Sequence, residues 1–223
     1  YREHVILGSV AGDILVTYAV AGVLLMVMRG LAPKWQLLTG LLLYASIVTL
    51  YLLFAAMMLM LPEDLLAEMA APLVAGAGRA EHVYPDGGFA AVTMQRVSDY
   101  MAIGLQSQVM TVPMALGVFL VGSWLLSGGW LQSPAVHRDF WWRLLAWMLP
   151  PGLAFTAAAV ALGTSFDLGA MEPRAVFAQA LMLAGGLPLA LAYVALIVLA
   201  WSSGAGARVL GMFAPAGRMA LTH

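Results

Sequence analysis

The sequence contains no cysteine, and only 9% of its 223 residues are charged. The missing thiols exclude disulfide bridges and thiolate metal sites. A soluble domain carries about 25% charged residues, so a chain with this little charge cannot cover a surface that faces water. The ten Lys and Arg residues form no run and the net charge is -1; this argues against nucleic acid as a partner, because nucleic-acid-binding proteins present a basic patch. The shortage of charge predicts a protein whose surface faces lipid.

The sequence is rich in hydrophobic residues, which make up 63% of it and occur in long runs. A helix needs about 20 apolar residues to cross a bilayer, and the segments that reach this length are Val5–Met28, Gln36–Leu61, Ile103–Ser127, Leu144–Gly163 and Phe177–Trp201. The sequence therefore predicts an all-α fold, a polytopic transmembrane helix bundle of about five spans. We expect residues 1–223 to form a single transmembrane domain, with residues 62–102 as a long outer connection that turns helical from Phe89.

Charge alternates between the predicted connections. One set holds six basic residues and one acid, and the other holds four basic and nine acidic residues. Because cytoplasmic connections are enriched in Lys and Arg, residue 1 is predicted outside and residue 223 in the cytoplasm. The tryptophans at the predicted inner ends, as an interfacial belt requires, are Trp35, Trp130, Trp141, Trp142 and Trp201.

Small residues inside the spans predict where helices pack closely, because glycine lets two backbones approach. We expect close contacts at Gly12, Gly22, Gly117 and Gly122. These contacts would hold the bundle together and carry no chemistry.

Asp13 is the charged residue that falls inside a predicted span. A charge there costs at least about 2.5–3.5 kcal/mol on insertion scales, so it should face a polar interior. Thr17 follows four residues later on the same helical face. Two interpretations stay open: a functional acid that contacts a ligand, carries a proton or orients a base, or a structural acid paired with a neighbouring helix. Gln106 and Gln108 match the depth of Asp13 better than Arg96 does.

Other candidates lie near the predicted outer surface. His4 has an intrinsic pKa suited to a general base, although a solvated interfacial histidine is the simpler interpretation. Arg96 and Asp99 are spaced for a local ion pair, and Arg96 could instead offer its guanidinium to an anionic substrate. The histidines are too scattered to predict a metal site, and the phosphate-loop and hydrolase motifs are absent.

Two stretches resemble a known family. Residues 12–22 read GDILVTYAVAG and residues 214–222 read APAGRMALT. Both are similar to recurring patterns of the YeiB-like family of bacterial inner-membrane proteins, a family of unknown function (number 418) that is grouped with membrane acyltransferases such as the heparan-glucosamine acetyltransferase type. Family members have further spans before and after these stretches, so the resemblance implies that the chain is the C-terminal part of a larger membrane protein.

The resemblance implies transfer of an acetyl or other acyl group to an extracytoplasmic sugar or lipid acceptor. It implies no tightly bound cofactor, with acyl-CoA or an acyl lipid as donor. The expected partners are membrane lipids and the helices missing at both ends, and a homo-oligomer is compatible with this. The residues assigned to catalysis are His4 and Asp13. Those assigned to substrate binding are Arg96, Asp99, Gln106, Gln108 and Arg218. A transporter for a small solute and a non-catalytic membrane scaffold are the alternatives.

Overall fold

The computed structural model describes residues 14–162 and 172–212, and each regular element in these ranges is a helix. In chain order they are α1 (Ile14–Met28), α2 (Pro33–Met58), α3 (Glu63–Asp86), α4 (Phe89–Asp99), a π-helical turn (Tyr100–Gly104), α5 (Leu105–Ser127), α6 (Arg138–Ala161), α7 (Pro173–Trp201) and α8 (Gly204–Gly211). The predicted all-α membrane bundle is confirmed.

Four helices, α2, α5, α6 and α7, are long and apolar enough to cross a membrane. The apolar helix α1 covers 15 described residues, because residues 5–13 of the first predicted span lie outside the described ranges. Three helices, α2, α6 and α7, begin earlier than predicted. The acidic Asp139 in the first turn of α6 favours a helix N-terminus there. Pro173 has its φ angle fixed at a helical value and opens α7.

The long connection is itself mostly helical. The helix α3 occupies its first part, and Gly87 and Gly88 separate α3 from α4. From Phe89 the chain is helical through the π turn into α5, as the sequence predicts. The third predicted span is therefore the inner part of a longer helical segment.

The membrane helices form a row in which α1 packs on α5, α5 on α2, α2 on α7, and α7 on α6. The pairing of residues gives the directions. Thr17 contacts Gln108 and Ala21 packs in one cluster with Leu116, so α1 and α5 run parallel. The helix α1 stands at one end of this row and packs principally against α5.

The closest helix crossing joins α2 to α5. A Cβ atom added to Gly40 would lie 2.8 Å from the carbonyl oxygen of Gly117, and one added to Gly117 would lie 2.8 Å from that of Gly40. The predicted close contact at Gly117 is confirmed. The same prediction is wrong for Gly22 and Gly122, since no atom of the described residues lies within 4 Å of a Cβ at either position. Gly12 lies outside the described ranges.

The α1–α2 turn is fixed by Gln36, which is 2% exposed. Its Nε2 donates hydrogen bonds to the carbonyl oxygens of Leu31, at 3.0 Å, and Arg29, at 3.4 Å. These bonds satisfy carbonyl groups just beyond the end of α1 that no helical N–H reaches. The turn thereby holds α1, the helix that carries Thr17, against the rest of the bundle.

An aromatic cluster joins α5 to α6. The rings of Trp130 and Phe140 stack with centroids 4.1 Å apart, and Trp124 meets Phe140 edge-on at 6.2 Å. Trp141 is 0% exposed and packs with Leu125, so it faces the neighbouring helices. Exposed tryptophans near helix ends are Trp35, Trp142 and Trp201. The interfacial belt stays a prediction.

Candidate functional site

A polar recess lies between α1 and α5, in a bundle whose described interior is otherwise largely apolar. It has a volume of about 220 Å³. Polar side chains inside a membrane bundle are costly and are a starting hypothesis for a functional site. The recess is therefore the candidate functional site. Its lining residues are Thr17, Tyr18, Ser107, Gln108, Thr111, Met114 and Ala115.

The contact that bridges the two helices is a hydrogen bond from Thr17 Oγ1 to Gln108 Oε1, at 2.7 Å. Thr17 is only 7% exposed. Because a buried hydroxyl without a partner is costly, this bond explains why a polar residue is tolerated on the packed face of α1. It also holds the Gln108 amide in one orientation.

Two further hydroxyl groups of the recess, those of Ser107 and Thr111, donate to backbone carbonyls. Ser107 Oγ donates to the Gly104 oxygen at 2.7 Å, and Thr111 Oγ1 donates to the Ser107 oxygen at 3.0 Å. Their oxygen atoms keep lone pairs that can accept a hydrogen bond. Gln108 Nε2 carries two N–H groups that can donate, and it makes no hydrogen bond to another described residue. The recess therefore offers a ligand both donors and acceptors.

The π turn immediately before α5 sets the direction of these side chains. One extra residue in a helical turn rotates the following helix by about 100°, and such turns occur frequently at functional sites. Gly104 closes the turn, and a Cβ there would lie 2.6 Å from the Tyr100 ring. The glycine lets the ring of Tyr100 lie against the helix, and the same residue accepts the Ser107 hydrogen bond.

The structure brings one residue predicted for substrate binding, Gln108, into the recess. Arg96 is exposed on α4 and lies twelve positions before Gln108, which corresponds to about 18 Å along a helix. It does not line the recess. Its predicted role in binding an anionic substrate stays a prediction.

The remaining predicted site residues lie outside the described part of the structure. His4, Asp13 and Arg218 fall in undescribed ranges, and Asp99 and Gln106 have described backbones but undescribed side chains. Their roles stay predictions. Among the described residues, no group of His, Asp or Glu could hold a metal ion.

Sequence reasoning noted Thr17 and Gln108 but missed Ser107 and Thr111. A signal for both was present. Thr111 follows Ser107 by four residues and Gln108 by three, so its side chain neighbours both on the helix surface, and all three are polar in an apolar span. A search for polar residues at helical spacing inside spans would have found them.

Part of the chain matches a known family. The family described as "Protein of unknown function (DUF418)" matches residues 125–223. This is the family that the motifs around Asp13 and Arg218 predict. The match covers α6 and α7 but begins after the recess, and it names no activity.

One curated relative matches most of the chain. The Bacillus subtilis (strain 168) protein "Uncharacterized protein YxaH" is 28% identical over 225 residues, which is 95% of this chain and 50% of YxaH. The chain thus spans about half the length of this relative. No solved structure matches the chain.

Proposed function

We propose that this protein is a membrane-embedded acyltransferase that moves an acetyl or other acyl group to an extracytoplasmic sugar or lipid acceptor. The observation that carries the proposal is the recess between α1 and α5, where the Thr17–Gln108 hydrogen bond orients an amide toward a small polar space. The resemblance of residues 12–22 and 214–222 to a family grouped with acyltransferases supports the reaction type. We place the recess on the extracytoplasmic side of a bacterial inner membrane.

In the proposed reaction the hydroxyl oxygen of the acceptor attacks the carbonyl carbon of the acyl donor. A C–O bond forms, and the bond from the acyl carbon to its sulfur or oxygen leaving group breaks. The proton of the acceptor passes to a base and then to the leaving group. We assign the base to His4 and the orienting acid to Asp13, four residues before Thr17 in the sequence. Gln108 would hold the acceptor hydroxyl.

Donor binding is assigned to the cationic groups. An acyl-CoA donor carries phosphates, which guanidinium groups bind well, and we therefore propose Arg96 and Arg218 as its contacts, with Asp99 orienting Arg96. An acyl lipid donor would need neither contact. Substitution of Arg96 separates the two donors.

The alternatives have less support. A transporter of the inverted-repeat type is expected to bind its solute at discontinuous helices near the midplane, whereas α6 and α7 run without a break through Pro150, Pro151 and Pro188. A non-catalytic scaffold is expected to lack a polar cavity. The recess favours an activity over a scaffold.

The test uses the full-length protein in proteoliposomes with labelled acetyl-CoA and extracted membrane sugars and lipids. Label that appears in an extracted acceptor supports the proposal. Uptake of a solute without label transfer would contradict it and favour a transporter.

Variants of Asp13 test its assigned role in this assay. Asp13→Asn and Asp13→Leu should both lower transfer by about 10²-fold or more while the protein still inserts and folds. Asp139→Asn, an exposed acid in the first turn of α6, is the control and should leave transfer unchanged. Activity retained in Asp13→Asn together with misfolding of Asp13→Leu would assign Asp13 a structural role instead.

A further inference from the structure

We infer that the recess between α1 and α5 binds the neutral hydroxyl-bearing head of a lipid, which enters sideways from the bilayer. This inference rests on the proposed function, because it names the class of acceptor for the same site. Four features of the described residues carry it: the chemistry of the lining, the volume, the depth and the direction in which the recess opens.

The chemistry of the lining matches a neutral alcohol. Among the described lining residues none is charged, so a phosphate or carboxylate would find no counter-charge from them. Gln108 Nε2 can donate, and the oxygens of Ser107 and Thr111 can accept. A hydroxyl group both donates and accepts, whereas an ester carbonyl only accepts. A hydroxyl group can therefore pair with both the donor and the acceptors of the recess, whereas an ester carbonyl can pair only with the donor.

The volume admits a head group but not a whole molecule. Pockets that enclose drug-sized ligands measure about 300–1,000 Å³, and this recess measures about 220 Å³. A lipid that places only its polar head in the recess satisfies this limit, because its acyl chains stay in the bilayer.

The depth of the recess fits the same ligand. Ser107 and Thr111 lie four and eight residues after Ile103, where the predicted span begins, which corresponds to about 6 and 12 Å below the surface. A bilayer core is about 30 Å thick, so the recess lies within one leaflet. A hydroxyl attached close to acyl chains reaches this depth without leaving the bilayer.

The described residues leave the recess open at the seam between α1 and α5. Among them, α1 stands at the end of the row and packs principally on α5. Tyr18, which lines the recess, is 51% exposed, and Val109, next to Gln108 in the sequence, is 63% exposed. Acyl chains can lie along these two residues while the head reaches Gln108.

The experiment measures photo-crosslinking in the full-length protein, reconstituted in vesicles of phosphatidylethanolamine and phosphatidylglycerol. The probe is a diacylglycerol with a diazirine in its acyl chain and an alkyne tag. A phosphatidic acid with the same chain is the charged comparison, and methyl glucoside is the water-soluble competitor. We expect the diacylglycerol to label peptides from α1 and α5 more than phosphatidic acid does, with no competition from methyl glucoside.

Variants tie the labelling to the recess. Thr17→Val and Gln108→Leu should each lower labelling by about fivefold, the loss of roughly one hydrogen bond. Thr17→Ser keeps the hydroxyl and should label like wild type. Thr49→Val, on the exposed face of α2 away from the recess, is the matched control and should also label like wild type. A thermal unfolding curve for each variant separates lost binding from lost folding.

Three results would overturn the inference: equal labelling of Gln108→Leu and Thr49→Val, equal labelling by phosphatidic acid, or competition by methyl glucoside. The outcome is independent of catalysis. Lipid labelling without acyl transfer would leave the inference standing and remove the proposed function. Acyl transfer to a water-soluble sugar without lipid labelling would do the reverse.

Discussion

Tyr44 shows at the residue scale how one hydroxyl joins two membrane helices. It is buried in α2, and its Oη donates a hydrogen bond to the Leu183 carbonyl of α7 at 2.6 Å. A Cβ atom on Gly186 would lie 2.9 Å from this oxygen. The absence of a side chain at Gly186 therefore gives the hydroxyl its route to the α7 backbone.

We predict that Tyr44→Phe destabilises the bundle by about 0.6 kcal/mol, the average measured for hydrogen bonds between membrane helices. Tyr51→Phe is the matched control, since Tyr51 lies on the same helix and makes no hydrogen bond to a described residue. Reversible unfolding in mixed detergent gives the two values. Equal effects of both substitutions would show that the Leu183 bond contributes nothing.

Residue-scale contacts of this kind could be predicted only in part. The sequence shows that Gln108 lies at a depth suited to a polar partner on the first span, and the structure places it against Thr17. It does not show that Tyr44 reaches Leu183, because the two residues are 139 positions apart and the sequence carries no local signal of which helices become neighbours. Depth follows from chain position, but the choice of neighbour follows from packing.

At the element scale, the close contacts of glycines could also be predicted only in part from the sequence. Gly117 and Gly122 lie five residues apart on α5, so they point about 140° apart around the helix. Both cannot face α2. The spacing of small residues identified candidates, and only the packed structure distinguishes Gly117, opposite Gly40, from Gly122, which faces open space.

We predict that Gly117→Ala destabilises the protein by about 1–3 kcal/mol, because the new methyl group would overlap the Gly40 carbonyl oxygen and must push the helices apart. Gly122→Ala, on the same helix, should be neutral or slightly stabilising. Thermal unfolding of the two variants in detergent checks this difference. A Gly117→Ala protein as stable as Gly122→Ala would mean that α2 and α5 do not cross closely at this point.

The ends of the elements were less predictable than their centres. Hydrophobicity locates the apolar middle of α6, yet the helix begins at Arg138 because Asp139 and the aromatic residues after it belong to its first turn. Polar and aromatic residues at membrane interfaces weaken the hydrophobic signal while they continue the helix. Span limits read from apolar runs are therefore too short at such ends.

At the scale of the whole molecule, the alternation of charge predicts that α2 carries the chain from one side of the membrane to the other. The chain has no native cysteine, so a single introduced cysteine reports one position. We predict that Ala32→Cys and Asp86→Cys are labelled by impermeant maleimide from opposite sides, and that Ala135→Cys is labelled from the same side as Ala32→Cys. Labelling of positions 32 and 86 from one side would contradict the topology.

The order and direction of the helices in the row explain how the recess forms. Parallel α1 and α5 bring residues from the start of each helix to the same depth, which is how two distant polar stretches of sequence form one recess. A different crossing order would separate Thr17 from Gln108. The recess therefore depends on the whole arrangement, although its hydrogen-bonding groups come from only two helices.

The most direct test of the central claim is acyl transfer by the full-length protein carrying Gln108→Leu, compared with Thr49→Val and wild type at equal amounts of folded protein. We predict that Gln108→Leu loses acyl transfer by about tenfold or more, because the acceptor hydroxyl loses its donor in the recess. Thr49→Val should transfer at the wild-type rate. Full transfer by Gln108→Leu would contradict the claim that acyl transfer takes place at the recess between α1 and α5.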